Sequence, residues 1–370
     1  MANYSPDNYI FHSIKNELKP TICESCRADG ECDYGSCEKC RANQAFNRSY
    51  VETHLFEGND CLEDYHSNKD IKSIVYRNEN EHPYLYYGFE LEVGFGDEID
   101  EYDDYDEYQP AEWVNEMLTK FEHATGGLFA SKERDGSLDN GIEFVSRPMS
   151  YAKCVDEDTI EKLKAGIAVL KDYGALDNQP RGHGMHVHIS RKFFDYGTTG
   201  QRNRDDAYKH MDWLFQFFQP ELEKLCGREW TQYSRSKKMK LMNRINCDLG
   251  RSFSNSEMVV ECSVKGKMKR GGYMANGDHE NAVIISGPTI EGRIFHSTLD
   301  YEQILGNIEI MRAFAHAVRD GETLGRTFND ILHTKESKYI DKILQKAHLK
   351  FGDKFNADRV LEDSFDLEME

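Results

Sequence analysis

No stretch of this 370-residue sequence approaches the roughly eighteen consecutive apolar residues that a membrane-spanning helix requires. Its opening, MANYSPDNYIFHSIKNELKP, lacks a basic stretch followed by an apolar segment. Together these absences predict a protein that neither spans a membrane nor is secreted, and so a cytoplasmic one. Positive charge is scarce too: 46 Lys and Arg stand against 66 Asp and Glu, giving a net charge of -20 and a pI near 5.2. Such a chain repels a phosphate backbone at long range, which argues against general nucleic-acid binding. Phosphate loops are missing as well. GFGDE and GHG are too short to cradle a triphosphate, and no G-x-S-x-G elbow occurs, so P-loop and serine-hydrolase chemistry have no support. There is no internal repeat.

What is present is material for a core. Hydrophobic residues make up 39% and aromatics 12%, with 20 Tyr and 20 Phe, too much for a disordered chain and enough for one large domain or two. The first 70 or so residues are polar and Cys-rich, and a boundary near 75 to 80 separates them from a strongly aromatic stretch. From Tyr84 onward, alternating segments are interleaved with helical ones near 110 to 124, 156 to 173, 206 to 226 and 301 to 319. Met211, Leu214, Phe215, Phe218, Leu222 and Leu225 recur at helical spacing, as do Ile304, Ile308, Met311, Ala315 and Val318. Both stripes read as core-facing. Between Asp97 and Glu107 eight of eleven residues are acidic, which reads as a solvated insertion in preference to a metal or partner site. Residues 235 to 270 reverse the sign, with ten Lys or Arg against three acids. They suit loops near phosphates or ordinary solvated loops equally.

Five of the ten cysteines fall between positions 23 and 40, and the rest are scattered singly. Scattered thiols read as small buried hydrophobes kept reduced, whereas a cluster asks for a metal. Cys23 with Cys26 and Cys37 with Cys40 form two C-x-x-C knuckles ten residues apart, which can present four thiolates to one tetrahedral zinc ion. Cys32 offers a competing thiol, and a redox dithiol pair or surface thiols are the other readings. Four thiolates leave no open position, so the segment reads as a ribbon for stability or for docking a protein partner.

The most informative segments are short strands with reactive residues two apart. In YLYYGFELEVGF, Phe89, Leu91 and Val93 take one face and Glu90 and Glu92 the other. In GHGMHVHIS, Met185, Val187 and Ile189 oppose His186 and His188. In GPTIEGRIFHST, Ile290, Gly292 and Ile294 oppose Glu291 and Arg293, and in DGSLDNGIEFVSRP, Ile142 and Phe144 oppose Glu143 after a turn carrying Asp135. One such strand is usually a solvated face. Four in one domain suggest a curved antiparallel sheet with a polar concave face, in an α+β fold. Two carboxylates so close cannot be buried without a compensating cation, hard oxygens with an imidazole suit Mg2+ or Mn2+, and arginine suits a phosphoryl oxygen.

GFELE, DGS followed by GIEFVS, GMHVHIS, CGREWTQY and TIEGRIF, in this order, resemble the amidoligase family of the glutamine synthetase-like carboxylate-amine ligases, over roughly residues 84 to 320. The resemblance implies a glutamine synthetase-like sheet with helices on one face, ATP, two or more Mg2+ or Mn2+ ions and an acyl phosphate attacked by an amine. Members are similar to proteins of phage and bacterial genomes, so the host cytoplasm of a phage is one setting. The implied organisation is a zinc ribbon over 1 to 75, a catalytic domain over 80 to 320 and a helical extension over 321 to 370.

Carried over residue by residue, the resemblance makes Glu90, His186 and Glu291 ligands of the ion nearer the nucleotide phosphates, and Glu92 and Glu143 ligands of the other, near the substrate carboxylate. Arg293 and Arg228 become clamps on the phosphate or acyl phosphate. Asp135 orders the metal site or accepts the proton of the amine, and His188 supports the metal ligands from behind or contacts the nucleotide. The chain also departs from the family pattern: Gly292 replaces an aromatic, and His279 and Ile284 stand near positions where an arginine and an asparagine are usual. These departures bear on nucleotide or amine binding. Two other classes of function use the same residues, a metal-dependent hydrolase that needs no ATP and a vestigial ligase fold serving as a binding scaffold.

Overall fold

The computed structural model describes residues 84–102, 108–138, 140–176, 183–194, 200–228, 282–286, 288–320 and 325–361, together with Glu38, Ala42, Leu62, Glu63, Gln179 and Thr323. Cys23, Cys26, Cys37 and Cys40, the whole basic stretch at 235 to 270, and His279 lie outside the described residues. The chain divides into two compact units: Met1–Pro83 with Glu92–Asp177, and Tyr84–Leu91 with Asn178–Glu370. Strand β1 (Tyr87–Gly94) is where the chain passes from one to the other.

The first unit carries the end of β1, a short ladder of β2 (Asp100–Tyr102) and β3 (Tyr108–Pro110), and the hairpin of β4 (Phe129–Arg134) and β5 (Gly141–Ser146). Helices α1 (Glu112–Thr125) and α3 (Glu157–Asp172) pack together, with one turn of helix, α2 (Tyr151–Cys154), between β5 and α3. Val114, Met117, Leu118 and Phe121 recur at helical spacing on α1 and are buried. Phe121 meets Phe144 of β5 at 4.7 Å and Phe129 of β4 at 5.0 Å between ring centroids, which seats α1 on one face of the hairpin. The helices come close where α3 carries Gly166, since a Cβ there would lie 2.6 Å from Thr125 Cγ2. Helix α1 stops at Gly126, whose φ of 54° is the left-handed conformation that glycine accepts without penalty.

The second unit holds β1, β6 (Gly184–Ser190), β8 (Thr289–His296) and β7 (Val283–Ser286), hydrogen-bonded in that order. With β5 and β4 beyond β1, the six strands run in the order β4-β5-β1-β6-β8-β7, antiparallel and not closed, so the α+β class stands. Met185, Val187, Ile189, Ile290 and Phe295 are fully buried on one face of the β6–β8 ladder. Each such side chain is worth roughly 1.5–3 kcal/mol of burial. Helix α4 (Gly200–Phe217) touches β7, with Tyr208 donating its hydroxyl to Val283 O at 3.1 Å, and α6 (Tyr301–Asp320) is buried on nearly every side. Both apolar stripes foreseen for these helices are buried.

One expectation is corrected. The helix foreseen over 206 to 226 is two helices, α4 and α5 (Gln219–Cys226), because Pro220 has no N–H to donate and its ring crowds the preceding turn. Proline is accepted only where a new helix starts, and Phe218 is that start. The chain after 321 forms α7 (Phe328–Leu332), closed by a capping box between Thr327 and Asp330, and α8 (Ile340–Phe351), both in the second unit. Of the scattered cysteines, Cys154 and Cys226 are free and buried, and burial pushes the Cys226 thiol well above its ordinary pKa. Among the described residues, no helix is long and apolar enough to cross a membrane.

Candidate active site

The ladder registers place the reactive residues of the second unit on one face. On β1 and β6, Glu90 stands opposite His186; on β6 and β8, His188 stands opposite Glu291. Residues paired across an antiparallel ladder point to the same side, so Glu90, His186, His188 and Glu291 share it. Between Met185 and Val187 the register against β8 slips, so that Arg293 and Ile294 together face the single residue His186. A bulge of this kind bends the strand and re-aims its side chains. Here it brings Arg293 in beside Glu291, with Nη1 2.5 Å from Glu291 Oε1 and 3.2 Å from His186 Nδ1.

The rest of the cluster is as tight. His186 Nδ1 lies 3.1 Å from Glu90 Oε2 and 3.5 Å from Glu291 Oε1, while His188 Nε2 lies 3.2 Å from Glu90 Oε1 and 4.0 Å from Glu291 Oε2. All five side chains are largely buried, Glu291 being only 4% exposed and Glu90 20%. That excludes the simple solvated face a single E-x-E strand suggests. Burial works against ionising Glu90, but the charge of His188 and hydrogen bonds from His186 and His188 outweigh it and hold the carboxyl well below its usual range. Burial also disfavours charge on His188, yet the carboxylates of Glu90 and Glu291 push its pKa up to about 9. Glu90 is therefore an anion and His188 a cation at neutral pH, and the arginine supplies a second positive charge on a face that carries two carboxylates.

Arg228, expected as a phosphate clamp, comes just after α5 and is buried. Its Nη1 donates to Arg293 O at 3.0 Å and Phe295 O at 3.3 Å, spanning the bulge of β8. The guanidinium lies over Gly184, where a Cβ would stand 2.2 Å from Nη1. Gly184 occupies the same face as His186 and His188, two residues further along β6, so Arg228 borders the cluster while holding the backbone that aims Arg293.

Glu92, Asp135 and Glu143 belong to the first unit. Glu92 and Glu143 are each 3% exposed. Asp135 is half-buried in the β4–β5 turn, where Oδ1 accepts the Ser137 N–H at 2.8 Å. The sequence reading missed Glu133, which is fully buried directly opposite Glu143 and accepts the Ser131 hydroxyl at 2.7 Å. The alternation of FASKER would have found it, since Lys132 and Glu133 must take opposite faces. Lys132 is ion-paired to Glu122 of α1 on the helix side.

Of the departures from the family pattern, Gly292 takes the core face, where a Cβ would meet Met311 Sδ at 2.6 Å. Ile284 pairs with Glu291 across β7 and β8 and is buried, so it lines the polar face beside that carboxylate.

Hard carboxylate oxygens beside an imidazole are the donor set that Mg2+ or Mn2+ takes, and the ligand atoms of Glu90, His188 and Glu291 lie within 4.8 Å of one another. The residues therefore fit a divalent cation. The chain matches no curated protein at a significant level. A family model described as "putative amidoligase enzyme" matches residues 97–315, more than half of the chain, including Glu143, His186, His188, Glu291 and Arg293. With that match added to the arrangement of these residues, the chain belongs to this amidoligase family.

Proposed function

We propose that the protein is an ATP-dependent carboxylate-amine ligase that forms an amide or peptide-like bond through an acyl phosphate. The observation that carries this reading is Arg293, brought by the β8 bulge against Glu291 and His186 on a face shared with Glu90 and His188. A carboxylate does not react with an amine near neutral pH, because its carbon is shielded by negative charge and lacks a leaving group. Attack of a carboxylate oxygen on the γ-phosphorus of ATP, with loss of ADP, makes the acyl phosphate. The amine then attacks the acyl carbon, phosphate leaves, and an acidic side chain takes the ammonium proton.

Both steps bring anions together and need positive charge fixed in a water-poor place. Arg293 supplies it as a planar fork matched to phosphoryl oxygens, and its present bond to Glu291 keeps it aimed along this face. Glu90, Glu291 and an imidazole would hold one Mg2+ or Mn2+, and Glu92 with Glu143 the other. Bound there, the ions neutralise the charge of the triphosphate and of the transferring group. The four-cysteine segment would contribute a structural zinc and a surface for a protein partner. The setting would be the cytoplasm, including that of a phage host.

Amine-dependent release of ADP from ATP, measured across amino acids and polyamines with Mg2+ or Mn2+, tests the reading. Arg293→Lys keeps the charge but loses the fork, so turnover should fall on the order of a hundredfold with melting unchanged. A variant that turns over like the wild type would remove Arg293 from the chemistry. Release of ADP that no amine stimulates would remove the ligase reading.

A further inference from the structure

The two carboxylates of the cluster are divided between its two imidazoles. Glu90 turns Oε2 to His186 and Oε1 to His188, and Glu291 turns Oε1 to His186 and Oε2 to His188. The two sides are not equivalent. On the His186 side a cation is already seated, since Arg293 Nη1 lies 2.5 Å from Glu291 Oε1 and 3.2 Å from His186 Nδ1. On the His188 side three ligand atoms converge, from Glu90, His188 and Glu291, all within 4.8 Å of one another.

What orients His188 is a hydroxyl. Thr289 opens β8 on the same face as Glu291, and its Oγ1 donates to Ser286 O at 2.8 Å. A hydroxyl has one proton, and a carbonyl can only accept, so that proton is committed. The 3.0 Å contact between Thr289 Oγ1 and His188 Nδ1 must then run the other way, with Nδ1–H donating. Nε2 is left as the nitrogen that faces the carboxylates. Outer hydrogen bonds of this kind fix the tautomer of a metal-bound histidine elsewhere.

The geometry assigns Thr289 as a positioning residue: it holds His188 Nδ1–H so that Nε2, with Glu90 and Glu291, completes a site for one divalent cation of the Mg2+ or Mn2+ type. This moves the imidazole ligand from His186, where the family resemblance put it, to His188. It rests on the proposed function, in which this face carries a metal ion.

The probe is Mn2+ alone, titrated into the chelator-treated full chain and read by paramagnetic resonance, with no nucleotide or amine present. Thr289→Val, which keeps the shape and loses the hydroxyl, should weaken Mn2+ binding roughly 10- to 100-fold, and Thr289→Ser should restore it. His188→Gln should weaken binding more than His186→Gln. In metal-free protein at pH 10, nitrogen NMR should find neutral His188 protonated on Nδ1, and Thr289→Val should shift the proton toward Nε2. Unchanged Mn2+ affinity in Thr289→Val, or greater loss in His186→Gln than in His188→Gln, overturns the assignment while leaving a metal on this face. Wild-type protein that binds no Mn2+ overturns the metal reading itself, whatever the tautomer.

Discussion

Replacing Glu90 by Gln tests whether the cluster is held together by charge. The His188 imidazolium lies 3.2 Å from one Glu90 oxygen and 4.0 Å from one of Glu291. At an effective dielectric of about 20 these contacts are worth about 5 and about 4 kcal/mol. The rise of its pKa from 6.5 to about 9 corresponds to a net gain of about 3 kcal/mol, so burial and the nearby Arg293 oppose charge by about 6 kcal/mol. Without the Glu90 charge, Glu291 alone no longer outweighs that opposition, and His188 should titrate at or below its ordinary value. The sign of the stability effect comes from the direction of this shift. A histidine whose folded pKa is raised contributes fully below about pH 6.5, and its contribution is lost as pH rises through about 9. Urea unfolding of chelator-treated wild type should therefore lose up to about 3 kcal/mol across that window through this group, with a slope no steeper than about 1.4 kcal/mol per pH unit. Glu90→Gln should lack the decline. Proton NMR of the imidazole, assigned by its disappearance in His188→Gln, gives the pKa directly. A wild-type His188 that titrates near 6.5, or one that Glu90→Gln leaves in place, refutes the charge argument.

Two further outcomes probe the supports. Gly184→Ala places a Cβ 2.2 Å from Arg228 Nη1, and the guanidinium cannot retreat without leaving the Arg293 and Phe295 carbonyls. It should cost about 1–3 kcal/mol in wild type and little in an Arg228→Ala background, a coupling that urea melts of the four proteins would measure. Lys132→Met strands the buried Glu122 carboxylate and should cost about 3–5 kcal/mol, whereas Lys132→Met with Glu122→Leu should restore most of the loss; equal melts for the single and double variants would refute the pairing.

The alternation of GFELEVG, GMHVHIS and TIEGRIFH carries its faces openly, because the side-chain period of a strand is local. Helix positions were legible for the same reason, and the break at Pro220 could have been read from the proline itself. What could not be read is whatever depends on a partner far along the chain. Whether Glu291 is wet or buried depends on β6 and β7 closing over it, more than a hundred residues from His186 on one side and only a hairpin away on the other. The extra residue in β8 exists only relative to the register with β6, so no window of TIEGRIFH reveals it. Arg228 shows the same limit. The motif CGRE does not reveal that this guanidinium also donates to backbone carbonyls of a strand some 65 residues later.

The departures at Gly292 and Ile284 separate once the faces are known. Between Glu291 and Arg293, residue 292 must point away from them, toward α6. There Met311 occupies the space that a side chain would need, so the absence of an aromatic concerns packing between sheet and helix rather than the polar face. Ile284 is the opposite case. As the β7 partner of Glu291 it puts an apolar side chain on the polar face, where it can neither pair with the carboxylate nor bring water to it. Among the described residues, its ion-pairing partners are Arg293, His186 and His188, each within 4.0 Å of it. Among the described residues, the Glu291 carboxylate therefore has an apolar neighbour on the β7 side and three nitrogen-bearing side chains around the rest of it.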